Sequence, residues 1–401
     1  MFFVKSMICR GVQTALRMAM PFLPYREPEI ISSCEGLGRV LKKEKARSVL
    51  IVTDRGILNS GLVTSLETVL TENEVVYTFF SETQPNPTVE NVGAALVQYH
   101  RNNCDCLIAI GGGSSTDCAK AVGARVAYPN KVVGQMKGIL RILRKIPTLI
   151  AIPTTAGTGS EVTLAAIITD SAKHHKYALM SFPLIPRYAV LDAALTYSLP
   201  PHLTATTGMD ALTHAVEAYI GQSTTRRTRS LALQAVALVF DNIEIAYMDS
   251  QNHQARENML HAAYKAGVAF SESYVGYIHA VAHSLGGQYG TPHGLANAVL
   301  MPYVLDAYGK SVYKKLHQLG MAAGVCDEND SHEAGAKAFI RAIRELNARM
   351  GIPEKLPGIQ KEDIPTMAKH AEREANPLYP VPKLMTKKEL EVFYLQVADW
   401  S

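Results

Sequence analysis

Five side chains in the second half of this 401-residue chain have the types and spacing of a metal site. Asp210 and His214 stand four apart in Gly208-Met209-Asp210-Ala211-Leu212-Thr213-His214, so a helix would project both from one face. His279, His283 and His293 fall within fifteen residues, a window in which this chain's composition places about half a histidine. Imidazoles with one carboxylate suit Fe²⁺, Zn²⁺ or Mn²⁺ and make a poor calcium site. Any one of these histidines alone reads as a surface or hydrogen-bonded core residue; the cluster is what needs a reason. Spacing does not tell which of the three later imidazoles would bind.

Two glycine-containing turns carry a second chemistry. Gly111-Gly112-Gly113-Ser114-Ser115-Thr116-Asp117 follows an apolar run and precedes a helical pattern. Glycines admit a ligand close to the backbone, and a helix start offers unpaired N–H groups to a pyrophosphate. The loop lacks the G-x-G-x-x-G spacing of a standard dinucleotide fold, and a plain strand-to-helix turn is its other reading. Pro153-Thr154-Thr155-Ala156-Gly157-Thr158-Gly159-Ser160-Glu161 follows the next strand, and the two turns together make one polar crevice. Asp54 ends an earlier strand, where a carboxylate accepts from an adenosine ribose and repels a 2′-phosphate, favouring NAD over NADP; its alternative is to cap the turn that follows.

The elements that must position these groups are legible as a rhythm. Apolar runs at 48–53, 75–80, 107–110 and 148–152 read as buried strands, with helical patterns at 89–100 and 116–126 between them. This predicts a parallel sheet covered by helices. After Leu199-Pro200-Pro201 the pattern becomes long helices, at 205–220, 230–246 and 258–270. Two domains are expected: an α/β domain over 1–199, with an apolar arm at 1–27, and a helical domain over 200–401.

Bulk properties narrow the class. The chain is 47% hydrophobic and 19% charged, with a net charge of +4 spread along it rather than gathered into a basic block, so nucleic acid is not an expected partner. No uninterrupted apolar window reaches the roughly 18 residues of a membrane span. The stretch 1–23 is apolar but broken by Lys5, Arg10 and Arg17, and reads as a packing arm in preference to a targeting or membrane-surface segment. Cys9, Cys34, Cys104, Cys106, Cys118 and Cys326 have neither zinc-knuckle spacing nor disulfide density, which fits a reducing cytoplasm. Cys104 and Cys106, alternate residues entering a strand, are expected to share a face as structural thiols.

The segments G-M-D-A-L-T-H-A-V-E-A-Y and H-A-V-A-H-S-L-G-G-Q-Y-G-T-P-H-G-L-A-N-A resemble the two signatures of the iron-containing alcohol dehydrogenases, and G-G-G-S-S-T-D-C-A-K and P-T-T-A-G-T-G-S-E resemble that family's cofactor-binding segments. The resemblance runs from about residue 29 almost to the C-terminus. It implies an N-terminal α/β dinucleotide-binding domain with a parallel sheet, an all-α C-terminal domain of the dehydroquinate synthase-like architecture, and an active site in the cleft between them. It implies Asp210, His214, His279 and His293 as ligands of Fe²⁺, or of Zn²⁺ or another divalent ion, with His283 close by without binding. Gly111, Gly112, Gly113, Ser114 and Asp117 match the pyrophosphate loop, Thr154, Thr155 and Thr158 the segment near the nicotinamide, and Lys176 a lysine near the cofactor ribose. A homodimer acting on a small alcohol or aldehyde is the implied partner set. The arm before Pro28 is outside the pattern, and His174 and His175 receive no role.

These roles combine into one chemistry, in which the metal polarises a substrate oxygen, hydride passes to or from the nicotinamide, and His283, one turn from His279, relays a proton. Glu217, one turn beyond His214, is read either as a partner orienting a ligand imidazole or as an exposed helix carboxylate. Rival readings are a polyol dehydrogenase or lyase of the same superfamily, a metal-dependent hydrolase, and a nucleotide-binding protein without catalysis.

Overall fold

The apolar runs become the centre of a six-stranded sheet. The computed structural model describes residues 2–19, 22–171 and 175–400. Nine strands are formed among the described residues: β1 (Glu29–Ile31), β2 (Ser48–Val52), β3 (Val76–Phe80), β4 (Cys106–Gly111), β5 (Gly138–Ile139), β6 (Thr148–Pro153), β7 (Ala165–Asp170), β8 (His175–Met180) and β9 (Tyr188–Val190). The main sheet has the order β1-β9-β6-β4-β2-β3 with every pairing parallel. Its strands bury both faces: Leu50, Val52, Leu107 and Ala109 enter one core, and Val49, Ile51, Ile108 and Ile110 enter the other. That two-sided burial is why these strands read as unbroken apolar runs instead of alternating ones.

The chain passes from β2 outward to β3 and then back across β2 to β4, so the strand order reverses between β2 and β4. Open α/β sheets bind ligands outside the carboxyl ends of the strands at such a reversal. Asp54 follows β2, Gly112 follows β4 and Thr154 follows β6, on three adjacent strands.

Several expectations need correction. A second, three-stranded sheet of order β5-β8-β7 was not foreseen, and it contains an antiparallel pair, β7 with β8. The short strands β1 and β9, three residues each, carry too little periodicity to be seen in the sequence. Cys104 and Cys106 do not share a face: Cys104 precedes β4 and packs with one core, while Cys106 packs with the other. Burial pushes the Cys106 thiol up to about 12, so it is an inert packing group. All six cysteines are unpaired thiols.

The chain divides into two compact units, Pro24–Leu199 on one side and Met1–Leu23 with Pro200–Ser401 on the other. Of the expected arm, Tyr25 and Arg26 bond within the α/β unit, but the helix Phe2–Ala19 belongs to the helical unit. Arg10 and Gln13 supply the reason, because both donate to main-chain carbonyls of 379–382. In the helical unit, Pro201 takes the first helical position, where its missing N–H costs nothing, and starts the helix Pro201–Ile220 earlier than periodicity indicated. The helix Arg226–Met248 is long and apolar enough by composition to cross a membrane, but it packs against Pro201–Ile220 and His253–Ser273, with Asn258 Nδ2 donating to Asn242 Oδ1 at 2.9 Å.

A buried cation ties the α/β unit together below its turns. Lys120, on the helix Gly113–Ala127, is fully buried, and its Nζ donates to Ser160 Oγ, Thr163 O, Thr163 Oγ1 and Ala165 O at 2.7–3.2 Å. Burial lowers the ammonium to about 8 in spite of Asp117 and Glu161. Burial also pushes the Glu161 carboxyl up to about 7 from its ordinary 4.5, against the opposing pull of a backbone hydrogen bond and Lys120. The folded chain thus holds a proton on Glu161 that the unfolded chain releases. This carboxyl's contribution is complete below pH 4.5 and is lost as pH rises towards 7. In urea melts of metal-free protein, the stability of wild type relative to Glu161→Gln should fall as pH goes from 4.5 to 7; a difference that stays flat across that window would contradict the assignment.

Candidate active site

In the α/β unit the two glycine turns touch. A side chain at Gly113 would come within 3.0 Å of Thr158, and one at Gly112 within 3.6 Å of Thr155 Oγ1. The Thr154 N–H donates to Gly111 O at 3.0 Å, stitching the turns at their roots. Gly111 has φ +144°, a backbone that a larger residue strains to adopt, and a Cβ there would meet Ser115 Oγ at 2.6 Å. The helix starts at Gly113, three residues earlier than its apolar pattern, so Gly113, Ser114 and Ser115 form its first turn with Gly112 as an N-cap that has no side chain to cover the amides. Asn86 N donates to Ser114 Oγ at 3.3 Å.

Asp54 takes the capping role weighed for it. Its Oδ1 accepts from Ile57 N at 3.0 Å as a helix cap, while Oδ2 lies 3.7 Å from where a Gly111 Cβ would be, beside the glycine turn. Asp117 is turned inward: it accepts from Ser160 Oγ at 2.7 Å and Ile167 N at 2.9 Å, and burial raises its carboxyl. It braces the second turn. Lys176 belongs to the second sheet, on β8 opposite Thr169, where burial lowers its ammonium. His174 and the side chain of His175 lie outside the described residues.

In the helical unit Asp210, His214, His279 and His293 offer one ligand atom each, all within 4.8 Å of one another. Metal–ligand bonds of about 2.0–2.2 Å separate two donors by at most about 4.4 Å, so one ion fits with small side-chain adjustments. Asp210 and His214 come from Pro201–Ile220, His279 from Tyr277–Tyr289, and His293 is the first residue of His293–Tyr308. Asp210 Oδ1 lies 3.4 Å from His293 Nε2 and 3.8 Å from His279 Nε2; Oδ2 lies 4.0 Å from His214 Nδ1. Gly294 lets the last helix approach, since a Cβ there would sit 2.3 Å from Thr206 O. Three of the four side chains are buried and His293 is 37% exposed, which leaves the cluster open on that side.

The surrounding shell fixes the rings. Glu217 is buried, not an exposed helix carboxylate, and the ring it orients belongs to His279: Oε2 lies 2.7 Å from Nδ1. The same carboxylate accepts from Gly276 N and Ile278 N, each at 2.7 Å. Burial pushes Glu217 up to about 7 against those bonds, but its backbone donors are satisfied by a carboxylate. Nδ1 of His279 then carries the third proton, and its buried Nε2 has no hydrogen-bond partner and faces Asp210. Burial and the neighbouring imidazoles hold His279 well below 6.5, so the ring is neutral, as a ligand must be. Asn297 donates to Asp210 Oδ1 at 2.7 Å and lies 3.2 Å from His293 Nε2, while Phe270 stacks on His214 at 4.1 Å between centroids.

His283 stacks on His293 at 5.1 Å, and its Nδ1 is 2.6 Å from Glu374 Oε1. Glu374, Asn297, Lys120 and Ser160 were not singled out from the sequence. Asn297 had a signal, four residues after His293 on one helix face; Glu374, 91 residues from His283, had none.

The profile described as "Iron-containing alcohol dehydrogenase" matches residues 31–193, and that of the "Fe-containing alcohol dehydrogenase family, C-terminal" matches 204–397. The chain belongs to the iron-containing alcohol dehydrogenase family. It is 38% identical over 339 residues to alcohol dehydrogenase 4 of Saccharomyces cerevisiae, covering 84% of this chain and 87% of that one. It is 36% identical over 340 residues to the NAD-dependent methanol dehydrogenase of Bacillus methanolicus, covering 84% and 88%. The crystal structure of a 1,3-propanediol oxidoreductase superposes with a TM-score of 0.89 at 33% identity, over 93% of this chain and 99% of that one.

Carboxylate partners of metal-ligating imidazoles typically contribute a factor of about 10–100 in affinity. Glu217→Gln should weaken metal binding by about that much in a chelator competition, with the fold retained by circular dichroism. Unchanged affinity would mean that Glu217 only ties the backbone of Gly276 and Ile278.

Proposed function

We propose that this protein is an NAD-linked, metal-dependent alcohol dehydrogenase acting on a small primary alcohol or diol and the corresponding aldehyde. The observation that carries the reading is the convergence of Asp210, His214, His279 and His293 around the buried, unbonded Nε2 of His279, within a chain of this family. Those four residues would hold Fe²⁺, with Zn²⁺ an acceptable replacement. A bound divalent ion supplies Lewis-acid polarisation of a substrate oxygen, and a bound nicotinamide supplies the carbon that takes or gives the hydride.

The chain's own residues do the rest. Gly111, Gly112, Gly113 and Ser114 present the start of a helix to a pyrophosphate, and Thr154, Thr155 and Thr158 line the adjoining turn. Asp54, through the oxygen not used in capping, accepts from a ribose and disfavours a 2′-phosphate, which selects NAD. Asp117 serves the cofactor indirectly by holding Ser160 and the second turn, and Lys176 adds a cation on the second sheet. His283, with Nδ1 on Glu374, takes the substrate's hydroxyl proton at Nε2 and returns it in the reductive direction. The enzyme is read as a cytoplasmic homodimer, in keeping with its six unpaired thiols and with what the family resemblance implies.

The test is NAD(H)-linked oxidation and reduction across a panel of short alcohols, diols and aldehydes, after removal of metal and reloading with Fe²⁺ or Zn²⁺. Activity should return with metal and fall by more than about 100-fold in His279→Ala. A metal-loaded protein that binds neither NAD⁺ nor NADH would overturn the reading.

A further inference from the structure

Residues 1–23 lie outside both family profiles, yet the helix Phe2–Ala19 is tied into the helical unit by specific bonds. Arg10 Nη1 donates to Val381 O at 2.7 Å and Nη2 to Pro382 O at 3.0 Å. Gln13, itself buried, donates to Tyr379 O at 2.7 Å and accepts from Arg10 at 2.8 Å. Both side chains therefore grip main-chain carbonyls of one short segment, between the helices Ile364–Ala375 and Lys387–Val397. Such a grip sets the path of the backbone, and with it the reach of whatever side chain that backbone carries.

The side chain it carries is Tyr379. Its hydroxyl donates to Glu374 Oε1 at 2.8 Å, and the same oxygen lies 2.6 Å from His283 Nδ1. A carboxylate oxygen only accepts, so with Tyr379 donating from one side, His283 donates from the other through Nδ1–H. That bond sets both the tautomer and the rotation of a ring otherwise positioned by its stack on His293 at 5.1 Å and its edge contact with His279 at 5.9 Å. A glutamate with a single partner has rotamers to sample; two donors on one oxygen hold it in one.

We infer that Glu374 and Tyr379 are positioning residues for His283, and that the N-terminal helix holds them in place through Arg10 and Gln13. The effect on turnover rests on the proposed role of His283, whereas the tautomer of His283 does not. The experiment uses the full-length chain loaded with Zn²⁺. In ¹⁵N-histidine spectra, with His283 assigned by its loss in His283→Ala, wild type should show the Nδ1–H form and Glu374→Ala should shift it towards Nε2–H. In kinetics, Tyr379→Phe should lower kcat by about 3–10-fold and Arg10→Met by about 2–5-fold, at unchanged metal content and unchanged KM for NAD⁺. In a His283→Ala background both factors should shrink to about 1, which a general loss of stability would not produce. Equal factors in that background, or an Nε2–H tautomer in wild type, would overturn the inference; an Arg10→Met chain with wild-type kcat and tautomer would remove the N-terminal helix from it. If wild type turns over no alcohol at all, the proposed function falls while the tautomer measurement still decides the positioning.

Discussion

The Asp210 carboxylate is buried in the middle of a helical bundle, and the arrangement of that unit follows from keeping it there. An unpaired charge in such surroundings costs several kcal/mol. Here Asn297 donates to it at 2.7 Å and three imidazole nitrogens stand 3.4–4.0 Å away. Each of those neighbours has to be brought in by its own helix. Gly294 permits the closest of the approaches, Phe270 stacks on His214, and the start of the helix Tyr277–Tyr289 is anchored by the N–H groups of Gly276 and Ile278 on Glu217. The side-chain cluster and the helix packing are thus one problem with one solution: loosening any helix leaves a buried charge with fewer partners.

The α/β unit buries the opposite charge to the same end. Lys120 lies in the interior with four oxygen partners on the segment that includes the second glycine turn, and Asp117 reaches that segment from the same helix. The pair clamps the helix Gly113–Ala127 to the turn after β6, so the two loops that meet at the carboxyl ends of the strands hold a fixed spacing. Polar groups turned into the interior thus determine where the backbone of the two turns stands.

What the sequence revealed divides along physical lines. Strands buried on both faces are visible because burial demands apolar residues without a break, and β2, β4 and β6 were found nearly to the residue. Asp210, His214, His279 and His293 were visible because helix periodicity or close spacing keeps ligand types near one another in the chain. The antiparallel β7 and β8, adjacent in the chain, were missed, while the edge strand β1 and its inner neighbour β9, three residues each, depend on partners far away and left no local pattern. The helix Phe2–Ala19 was placed on the wrong unit for the same reason. Its anchor is a set of carbonyls some 370 residues distant, and carbonyls have no sequence signature. Asp117 shows a subtler failure: its motif was found, but the direction of its side chain is set by Ser160 and Ile167, which the motif does not encode.

The imidazoles around Asp210 are chemically identical, so their roles can differ only through their surroundings. His279 has Nδ1 on a buried carboxylate and Nε2 directed at the cluster, a geometry that suits a neutral ligand. His293 stands at a helix start with Asn297 one turn away, close to Asp210 but partly exposed. His283 also has Nδ1 on a carboxylate, yet Glu374 is shared with Tyr379 and the ring stacks over His293 instead of aiming at Asp210. The same carboxylate–imidazole pair therefore appears twice, one helical turn apart. The inner pair is buried, at 2% and 1% exposure, and the outer pair is part-exposed, at 31% and 35%. Spacing alone could not distinguish His279 from His283, because what distinguishes their surroundings is Glu217 on one helix and Glu374 on another.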